Sequence, residues 1–474
     1  MFLQSVASRT VGATPVVSKI AVASMATSTK AKQAKANKAP AVKVEKKRIG
    51  RNVVLVEGVR TPFCVSGTEY NDLMAYDLLR YAFSGLLDRV DINPADIDYI
   101  TAGTVIQDAK TSNIAREASL SAGIPDTVPS NTVTLACISA NVAIQSAMQM
   151  IQLGNADICI AGGSETMSDV PIRLSRPLRK TLLASQKAKG PAGLFGLARK
   201  LKGSDIGLEL PAVAEFSTGE IMGHSADRLC TAFGISREAQ DEFAMMSHRN
   251  AKDAFDAGLL RDIIPVKVPG KSKLVTADNG VRIVPAEKMA KLKPAFVKPH
   301  GTVTAGNSSF LTDGASATMI MSEEKALALG LKPLAYLREC TFVALDPKDQ
   351  LLLGPAYASG KVLDMAGLSL NDMDVVEYHE AFAGQILSNI TAMESDKFCQ
   401  EHMGRKNKIG TMPMDKFNLW GGSLSIGHPF GATGGRITTT AANRLIHEDG
   451  TFALLAACAA GGQGVAHVLE RYPN

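Results

Sequence analysis

The sequence has no apolar run of about 18 residues, the length that spans a bilayer, and its seven cysteines include no Cys-x-x-Cys pair. It therefore predicts no transmembrane segment. An odd number of widely spaced cysteines argues against a disulfide framework or a locally chelated zinc, and favours reduced thiols in a reducing compartment. With 46% hydrophobic and 20% charged residues in 474, the composition is that of an ordinary globular enzyme, long enough for about three domains.

Acidic residues are absent from residues 1–44, which are basic and rich in Ser and Ala. Through Arg48 the tail has ten basic residues and one acid, a charge of +9, so the body carries 5 − 9 = −4. This pattern predicts an organelle transit peptide over residues 1–48, with folding beginning near Arg51. A basic arm for nucleic acid or membrane is the alternative. The acidic body shows no aromatic-basic interleaving, so we expect no nucleic-acid partner.

Strand-like and helix-like segments alternate in the body, which predicts an α/β fold with a mostly parallel sheet. The first half has strand patterns at 53–56, 97–105, 131–136 and 157–161, and helical patterns at 73–90, 114–122 and 138–153. The second half has strand patterns at 334–337, 375–378, 452–457 and 465–469, and helical patterns at 356–366, 382–393 and 437–446. We interpret this as two similar α/β halves.

A stretch of different character lies between the halves. Residues 170–204 contain no acid and nine basic residues, interspersed with leucines and Phe195. Such a basic amphipathic segment favours an anionic membrane surface, where each cation adds on the order of 1 kcal/mol. A solvated charged face, or a patch for an anionic ligand, is the alternative. Residues 212–262 form a helical stretch capped at Ser236 and resemble an inserted domain.

Residues 418–436 hold six glycines around His428 and Pro429, just before a helical pattern. Glycine is used this densely where the backbone approaches another group closely or takes a positive φ. His428 is the side chain in this stretch that can move protons near neutral pH. A glycine-rich connector with an incidental histidine is the alternative.

Four residues at strand-to-turn junctions are candidates for chemistry: Cys137, His379, His428 and Cys458. Cys137 follows a strand and opens a helix, whose N-terminus would stabilise a thiolate; a small buried core cysteine is the alternative. Two cysteines and two histidines could also bind zinc, although they are far apart in sequence. Two thiols with general bases suit an acyl-thioester on one cysteine and proton transfer by the other.

Several long motifs in this order resemble the thiolase family, and the resemblance covers the chain from Val53 to the C-terminus. The motifs are Thr134-Leu-Ala-Cys137-Ile-Ser139, Gly162-Gly-Ser-Glu-Thr-Met167, Met222-Gly-His-Ser-Ala-Asp227, Ser236-Arg-Glu-Ala-Gln-Asp-Glu-Phe243, Gly301-Thr-Val-Thr-Ala-Gly-Asn307, His379-Glu-Ala-Phe382, residues 418–436, and Cys458 with its glycines.

The resemblance implies a thiolase-like α/β fold, with two similar βαβαβαββ halves in a five-layer αβαβα sandwich and an inserted loop domain. The expected division is a transit peptide or basic tail at 1–48, an N-terminal half at 49–170 plus 285–328, a loop domain at 171–284 with the basic segment 171–204, and a C-terminal half at 329–474.

The resemblance also implies roles for the four candidates. Cys137 would be the nucleophile that attacks the 3-keto carbon. Cys458 would protonate the departing enolate and then deprotonate the incoming CoA thiol. His428 would activate Cys137 and, with His379, polarise the thioester oxygen. Most thiolases have Asn where this chain has His379. His379 would therefore bind the oxygen either directly or through an ordered water.

Four further positions carry the substrate contacts that the resemblance implies. The backbone N–H of Ala460, with that of Cys137, would form a second oxyanion hole; Ala460 replaces the commoner glycine. Ser309 matches a serine that contacts the CoA pantetheine, and Gly427 and Gly461 are expected to line the same site. Coenzyme A would be a substrate, with no permanently bound cofactor and no metal.

The implied activity is that of an acetyl-CoA C-acyltransferase that cleaves long-chain 3-ketoacyl-CoA in mitochondrial β-oxidation. The chain resembles one group of family members in having His379 and a long basic segment. Members of that group form a homodimer within a trifunctional complex with a hydratase/dehydrogenase alpha subunit. This favours the matrix side of the inner membrane, with cardiolipin contacts through 171–204. The alternatives are a ketoacyl-synthase-type condensing enzyme, which would lack a second catalytic cysteine, and a CoA- or lipid-binding scaffold without turnover.

Overall fold

The computed structural model describes residues 50–473, and the predicted transit peptide lies outside them. No helix among these residues is both long and apolar enough to cross a bilayer. The strands are β1 (Val53–Arg60), β2 (Cys64–Val65), β3 (Tyr99–Gly103), β4 (Ser130–Val133), β5 (Ile158–Glu165), β6 (Arg173–Leu174), β7 (Leu208–Glu209), β8 (Thr312–Ser322), β9 (Ala335–Ala344), β10 (Val375–Tyr378), β11 (Phe452–Ala459) and β12 (Gln463–Arg471).

The helices carry both halves and the segment between them. They are α1 (Ala75–Arg89), α2 (Ile114–Ser121), α3 (Ser139–Gln152), α4 (Arg176–Ser185), α5 (Gly190–Ala198), α6 (Met222–Phe233), α7 (Arg237–Asp256), α8 (Ala286–Met289), α9 (Glu323–Ala328), α10 (Gly354–Ala366), α11 (Ala383–Glu394), α12 (Asp396–Met403) and α13 (Thr433–His447). Short 3-10 helices lie at Pro94–Asp96, Gly203–Asp205, Leu370–Asp372 and Met414–Lys416.

The two halves have the same strand order. The first is β4-β3-β5-β8-β1 and the second is β10-β11-β12-β9, with β1 and β9 paired where the halves meet. Beyond β10, Val376 bridges Phe417 in parallel, at the place that β4 takes beyond β3. The prediction of two similar α/β halves is confirmed.

The prediction of a mostly parallel sheet is wrong for the pairing. β8 and β12 each run antiparallel to both neighbours, so antiparallel pairs outnumber parallel ones among the described strands. The physical reason is that the last strand of each half inserts between two strands of the opposite direction. β8 itself lacked a hydrophobic pattern, because the fully buried run Thr312–Ser322 uses Gly, Ala, Ser and Thr beside its methionines.

The layers follow from the alternation of side chains along the strands. On β1, Val54 and Val56 face an outer core with α1 and α2, whereas Val53 and Leu55 face a central core. Helices α3 and α13 pack against each other in that central layer, and α10 and α11 cover the other side of the second half. The result is the five-layer αβαβα arrangement, with both faces of each half-sheet buried.

The segment between the halves divides into two parts. Helices α6 and α7 pack on the second half, and the Ser236 hydroxyl caps α7 by accepting a hydrogen bond from the Ala239 N–H at 3.2 Å. This confirms the capped helix. Helices α4 and α5 have no buried residue. The division of the chain into domains stays a prediction.

Candidate active site

Three of the four candidate residues lie at the carboxyl ends of strands in the two halves, where open α/β sheets bind their ligands. Cys137 follows β4, His379 follows β10 and Cys458 is the next-to-last residue of β11. His428 comes from the glycine-rich loop before α13. One donor atom from each of Cys137, His379 and His428 lies within 4.8 Å of the other two. The fold therefore brings together residues that are up to 291 positions apart (428 − 137).

A tight turn presents Cys137. The residue before it, Ala136, takes a φ of +44°, a region that side chains other than glycine rarely adopt. The Ser139 hydroxyl holds the turn, since it donates to the Ala136 carbonyl at 2.7 Å and accepts from the Leu135 N–H at 2.8 Å. The strained backbone directs the thiol into the site just before α3 begins.

The Cys137 thiol is buried, and burial raises its pKa to about 12, while the N–H groups of Ala460 and of Cys137 itself act in the opposite direction. Desolvation therefore opposes the thiolate that the sequence predicts at the helix start, and it outweighs the helix N-terminus there. Cys137 rests as a thiol and needs a base. The two amide groups at the sulfur are the donors expected for the second oxyanion hole.

His428 is 3% exposed and is held by two hydrogen bonds. Its backbone N–H donates to the Thr312 hydroxyl at 3.0 Å, and its Nδ1 lies 2.6 Å from Thr433 Oγ1. The Thr433 hydroxyl in turn donates to the Pro429 carbonyl at 3.0 Å. The other ring nitrogen, Nε2, is buried and has no hydrogen-bond partner within residues 50–473, so it is available to Cys137.

His379 packs against His428 with the ring centroids 3.9 Å apart. Its Nδ1 lies 2.8 Å from Ser423 Oγ, and its Nε2 also has no partner. Burial, with the positive charge of Arg436, lowers the pKa of His379 to about 3. Burial, with His379 and Arg436, lowers the pKa of His428 well below its ordinary value. Both imidazoles are therefore neutral at physiological pH.

Cys458 is close enough to Cys137 for the two thiols to interact electrostatically. It is fully buried, and burial together with the neighbouring Cys137 raises the pKa of its thiol. A neutral thiol here can give up a proton to a strong carbon base and take it back from a second thiol. The site thus has two neutral thiols and two neutral imidazoles. Cys137, His379 and His428 would also suit a zinc ion by donor type.

Two buried carboxylates hold the loops around the site, and sequence reasoning assigned neither a role. Glu380 follows His379; its oxygens accept from Asn418 Nδ2 at 2.7 Å and from the Leu424 N–H at 3.1 Å. Glu165 accepts the backbone N–H groups of residues 105, 106 and 431 at 3.0 to 3.1 Å. Burial raises the pKa of Glu165 to about 7, against these donors.

The predicted substrate contacts lie at the same edge. The Ser309 N–H donates to the Ala381 carbonyl at 3.0 Å, next to the His379 loop. Gly427 takes a φ of +107°, and a Cβ there would lie 2.7 Å from Thr312 Oγ1. The Gly461 N–H donates to Glu215 at 2.9 Å, so this amide is engaged within the chain. Their contacts with substrate stay predictions.

Other functional residues were missed although they lie inside motifs that the sequence displays. Ser423, Thr433 and Arg436 all belong to the stretch 418–436. No sequence periodicity distinguishes their hydroxyl and guanidinium groups as contacts of the histidines. Glu215 is in the segment between the halves, and nothing in the sequence connects it with Gly461. Only the folded chain places these four near the two histidines or the Cys458 loop.

Known proteins resemble this chain over nearly all of its described length. The family model "Thiolase, N-terminal domain" matches residues 53–324, and "Thiolase, C-terminal domain" matches residues 331–471. The mitochondrial trifunctional enzyme subunit beta of Homo sapiens is 60% identical over 424 residues, which are 90% of this chain and 89% of that protein. A probable 3-ketoacyl-CoA thiolase of Caenorhabditis elegans is 58% identical over 422 residues, 89% of this chain and 94% of that protein.

A solved structure gives the same result. Human mitochondrial 3-ketoacyl-CoA thiolase in complex with CoA matches with a TM-score of 0.76 and 30% sequence identity, covering 89% of this chain and 98% of that chain. The relatives named in these comparisons include mitochondrial enzymes, and one of them was solved with CoA.

Proposed function

This chain belongs to the thiolase family and is an acyltransferase, a 3-ketoacyl-CoA thiolase, and we propose that it cleaves long-chain 3-ketoacyl-CoA through an acyl-enzyme on Cys137. The observation that carries the proposal is the convergence of Cys137, His379 and His428 within 4.8 Å, with Cys458 beside them. A nucleophile, a base, a donor and a second proton carrier are the groups that carbon–carbon cleavage requires.

In the first half-reaction, His428 Nε2 takes the proton of the Cys137 thiol, and the sulfur attacks the 3-keto carbon of the substrate. The tetrahedral oxyanion is stabilised by the N–H groups of Cys137 and Ala460. When the bond between C2 and C3 breaks, its electron pair forms the enolate of acetyl-CoA, whose oxygen accepts from His379 and protonated His428. Cys458 then protonates the enolate carbon, and acetyl-CoA leaves.

In the second half-reaction, coenzyme A is the acceptor. The Cys458 thiolate takes the proton of the CoA thiol, and the CoA sulfur attacks the acyl-enzyme carbonyl in the same oxyanion hole. The Cys137 sulfur leaves and recovers its proton from His428. All four protein groups return to their starting states, so the chain's own residues need no permanently bound cofactor.

The chain-length assignment is tested with purified protein, CoA and 3-ketoacyl-CoA of 4, 8 and 16 carbons, followed by loss of the Mg²⁺-enolate absorbance. The expected result is cleavage at all lengths with the greatest kcat/KM at 16 carbons. A preference for 4 carbons would keep the chemistry and remove the long-chain assignment. No cleavage at any length, with a hydratase/dehydrogenase subunit also supplied, would support a scaffold without turnover.

We also propose the assembly and location. The identity with trifunctional enzyme beta subunits supports a homodimer that binds a hydratase/dehydrogenase alpha subunit on the matrix side of the mitochondrial inner membrane. Co-expression with such a subunit, followed by native mass measurement, tests this arrangement. A chain that stays alone at micromolar concentration would contradict it.

The proposed membrane contact is the surface formed by α4 and α5. Leu183 and Phe195 are 63% and 67% exposed, and the basic side chains of residues 171–204 lie among such exposed apolar groups. Apolar side chains beside cations match the boundary between lipid headgroups and acyl chains. One cation is engaged within the chain, since Arg179 pairs with Glu209 at 2.7 Å. The proposed partner is an anionic, cardiolipin-containing bilayer.

A further inference from the structure

We propose that Ser423 and Arg436 are positioning residues that hold His379 with its proton on Nε2, whereas Thr433 holds the stacked His428 with its proton on Nδ1. The two adjacent imidazoles then face the substrate in opposite roles, one as a hydrogen-bond donor and one as a base. This inference rests on the proposed function and assigns the division of labour between the two histidines.

Arg436 lies in the central layer and is 1% exposed. A guanidinium has only donors, and its Nη2 donates to Ser423 Oγ at 3.3 Å. The Ser423 oxygen therefore accepts from Arg436, and its own proton is free for another acceptor. The position of Arg436 is set by Glu377, whose carboxylate lies 3.7 Å from Nη1.

The acceptor for the Ser423 proton is His379 Nδ1, at 2.8 Å. If Nδ1 accepts, the ring proton of the neutral imidazole lies on Nε2. That nitrogen is buried and has no hydrogen-bond partner among the described residues, and the ring belongs to the cluster with Cys137. His379 is therefore a preorganised N–H donor aimed at the place where the substrate oxygen acquires negative charge.

The hydroxyl that contacts His428 favours the opposite tautomer of that ring. The Thr433 hydroxyl uses its one proton on the Pro429 carbonyl at 3.0 Å, so its oxygen accepts from His428 Nδ1 at 2.6 Å. The lone pair is then on Nε2, which has no hydrogen-bond partner among the described residues, in a ring that clusters with Cys137. Two side chains of the same type thus become a donor and a base through the hydroxyl that each one contacts.

Neutrality makes this control effective. Arg436 and burial keep both imidazoles uncharged, and a charged imidazole would carry protons on both nitrogens and have no tautomer. The tautomer then depends only on hydrogen bonds, each of which contributes on the order of 1 kcal/mol.

The test separates donor function from base function with two measurements on each variant. Alkylation of Cys137 by iodoacetamide needs the base and forms no oxyanion, whereas thiolysis needs both. Ser423→Ala is expected to lower kcat for thiolysis by about 10-fold and to leave the alkylation rate within about twofold. Thr433→Val, which keeps the shape without the hydroxyl, is expected to lower both rates by about 10-fold.

A double-mutant cycle supplies the decisive comparison. In a His379→Asn background the donor is an amide with no tautomer, so Ser423→Ala is expected to change kcat by less than about twofold. The same about 10-fold loss in both backgrounds, or an equal loss of alkylation and thiolysis in Ser423→Ala, would show a merely structural role for Ser423 and overturn the proposal. Thermal melting of each variant verifies folding, and Arg436→Lys, which keeps a buried donor, tests the relay if Ser423→Ala does not fold.

Failure of the proposed function gives a different pattern. In that case the wild-type protein would show no thiolysis, while its alkylation rate could still be measured. Failure of the relay alone would leave wild-type thiolysis intact and remove only the difference between the Ser423 and Thr433 variants.

Discussion

The central layer and the surface of α4 and α5 use the same kinds of side chain in opposite ways. In the central layer Arg436 and Arg444 are buried with Glu377, and the thiols and imidazoles of the site are neutral. On α4 and α5 the cations and the apolar groups both point outward, and no residue of either helix is buried. Burial sets the chemistry in the first region, whereas the side chains of the second region lie on the surface of the chain.

A hydrogen bond links the site to the chain that follows the basic segment. Glu215, which comes after α4, α5 and β7, accepts the Gly461 N–H at 2.9 Å, in the loop beside Ala460 and Cys458.

Cys137→Ala is expected to abolish acyl-enzyme formation and to lower thiolysis by about 10⁴-fold or more, since the nucleophile is lost. Mass measurement after incubation with acyl-CoA checks the adduct. Cys399→Ala, another buried cysteine far along the chain in α12, is the matched control and should keep its activity. A trapped acyl group on any cysteine other than 137 would contradict the assignment.

Cys458→Ala is expected to leave acylation of Cys137 by acyl-CoA measurable and to lower the cleavage rate by about 10³-fold, because proton transfer to the enolate is lost. Single-turnover kinetics distinguish the two steps. An unchanged cleavage rate would show that Cys458 carries no proton.

The pH dependence of alkylation separates a Cys137 thiol that is assisted by His428 from an unassisted thiol. The pKa of Cys137 is raised to about 12 and the pKa of His428 is lowered, so at pH values between them the resting pair is thiol and neutral imidazole. Transfer of a proton within that pair does not change its total protonation, and the wild-type rate should be flat from about pH 6 to 9. His428→Asn leaves only the free thiolate route, whose rate rises about tenfold per pH unit.

A rate in the wild-type protein that rises tenfold per unit would mean that His428 gives no assistance. A plateau that collapses below about pH 6 would indicate that His428 becomes protonated near its ordinary pKa, contrary to the lowering that burial produces. The first result would overturn the role of His428 as the base, and the second would overturn its neutrality at rest.

Glu215→Ala is expected to lower kcat by about fivefold, because the Gly461 N–H loses its acceptor and the neighbouring Ala460 donor becomes less well placed. Glu215→Gln keeps an acceptor oxygen and should keep a kcat within about twofold of wild type. Equal losses in both variants would mean that charge, and not the hydrogen bond, is what the site uses.

Replacing the basic residues of 173–202 other than Arg179 with Gln is expected to have the smallest effect on solution activity, with kcat on a 4-carbon substrate unchanged. Binding to cardiolipin-containing vesicles should weaken, with a reduced dependence on salt. Arg179 is kept because of its contact with Glu209. Equal vesicle binding by variant and wild type would remove the membrane proposal.

The sequence located the chemistry better than the architecture. The sequence places the four reactive side chains in distinctive motifs, and these motifs indicate the family. They are Cys137, His379, His428 and Cys458. The strand Thr312–Ser322 was missed because small residues fill it: a Cβ on Gly162 would lie 2.1 Å from the Ser316 carbonyl oxygen. Close packing of that kind depends on two strands far apart in the chain, and leaves no hydrophobic period to read.

The chain's own order of residues determined the α/β alternation, the two similar halves and the four reactive side chains, since these depend on local pattern and residue type. Only the tertiary structure decided their state. It placed Arg436 behind the histidines, Ser423 and Thr433 at their Nδ1 atoms, and Glu215 at Gly461. The pKa of a thiol and the tautomer of an imidazole depend on desolvation and on partners from distant segments, so they arise only when the two halves pack together.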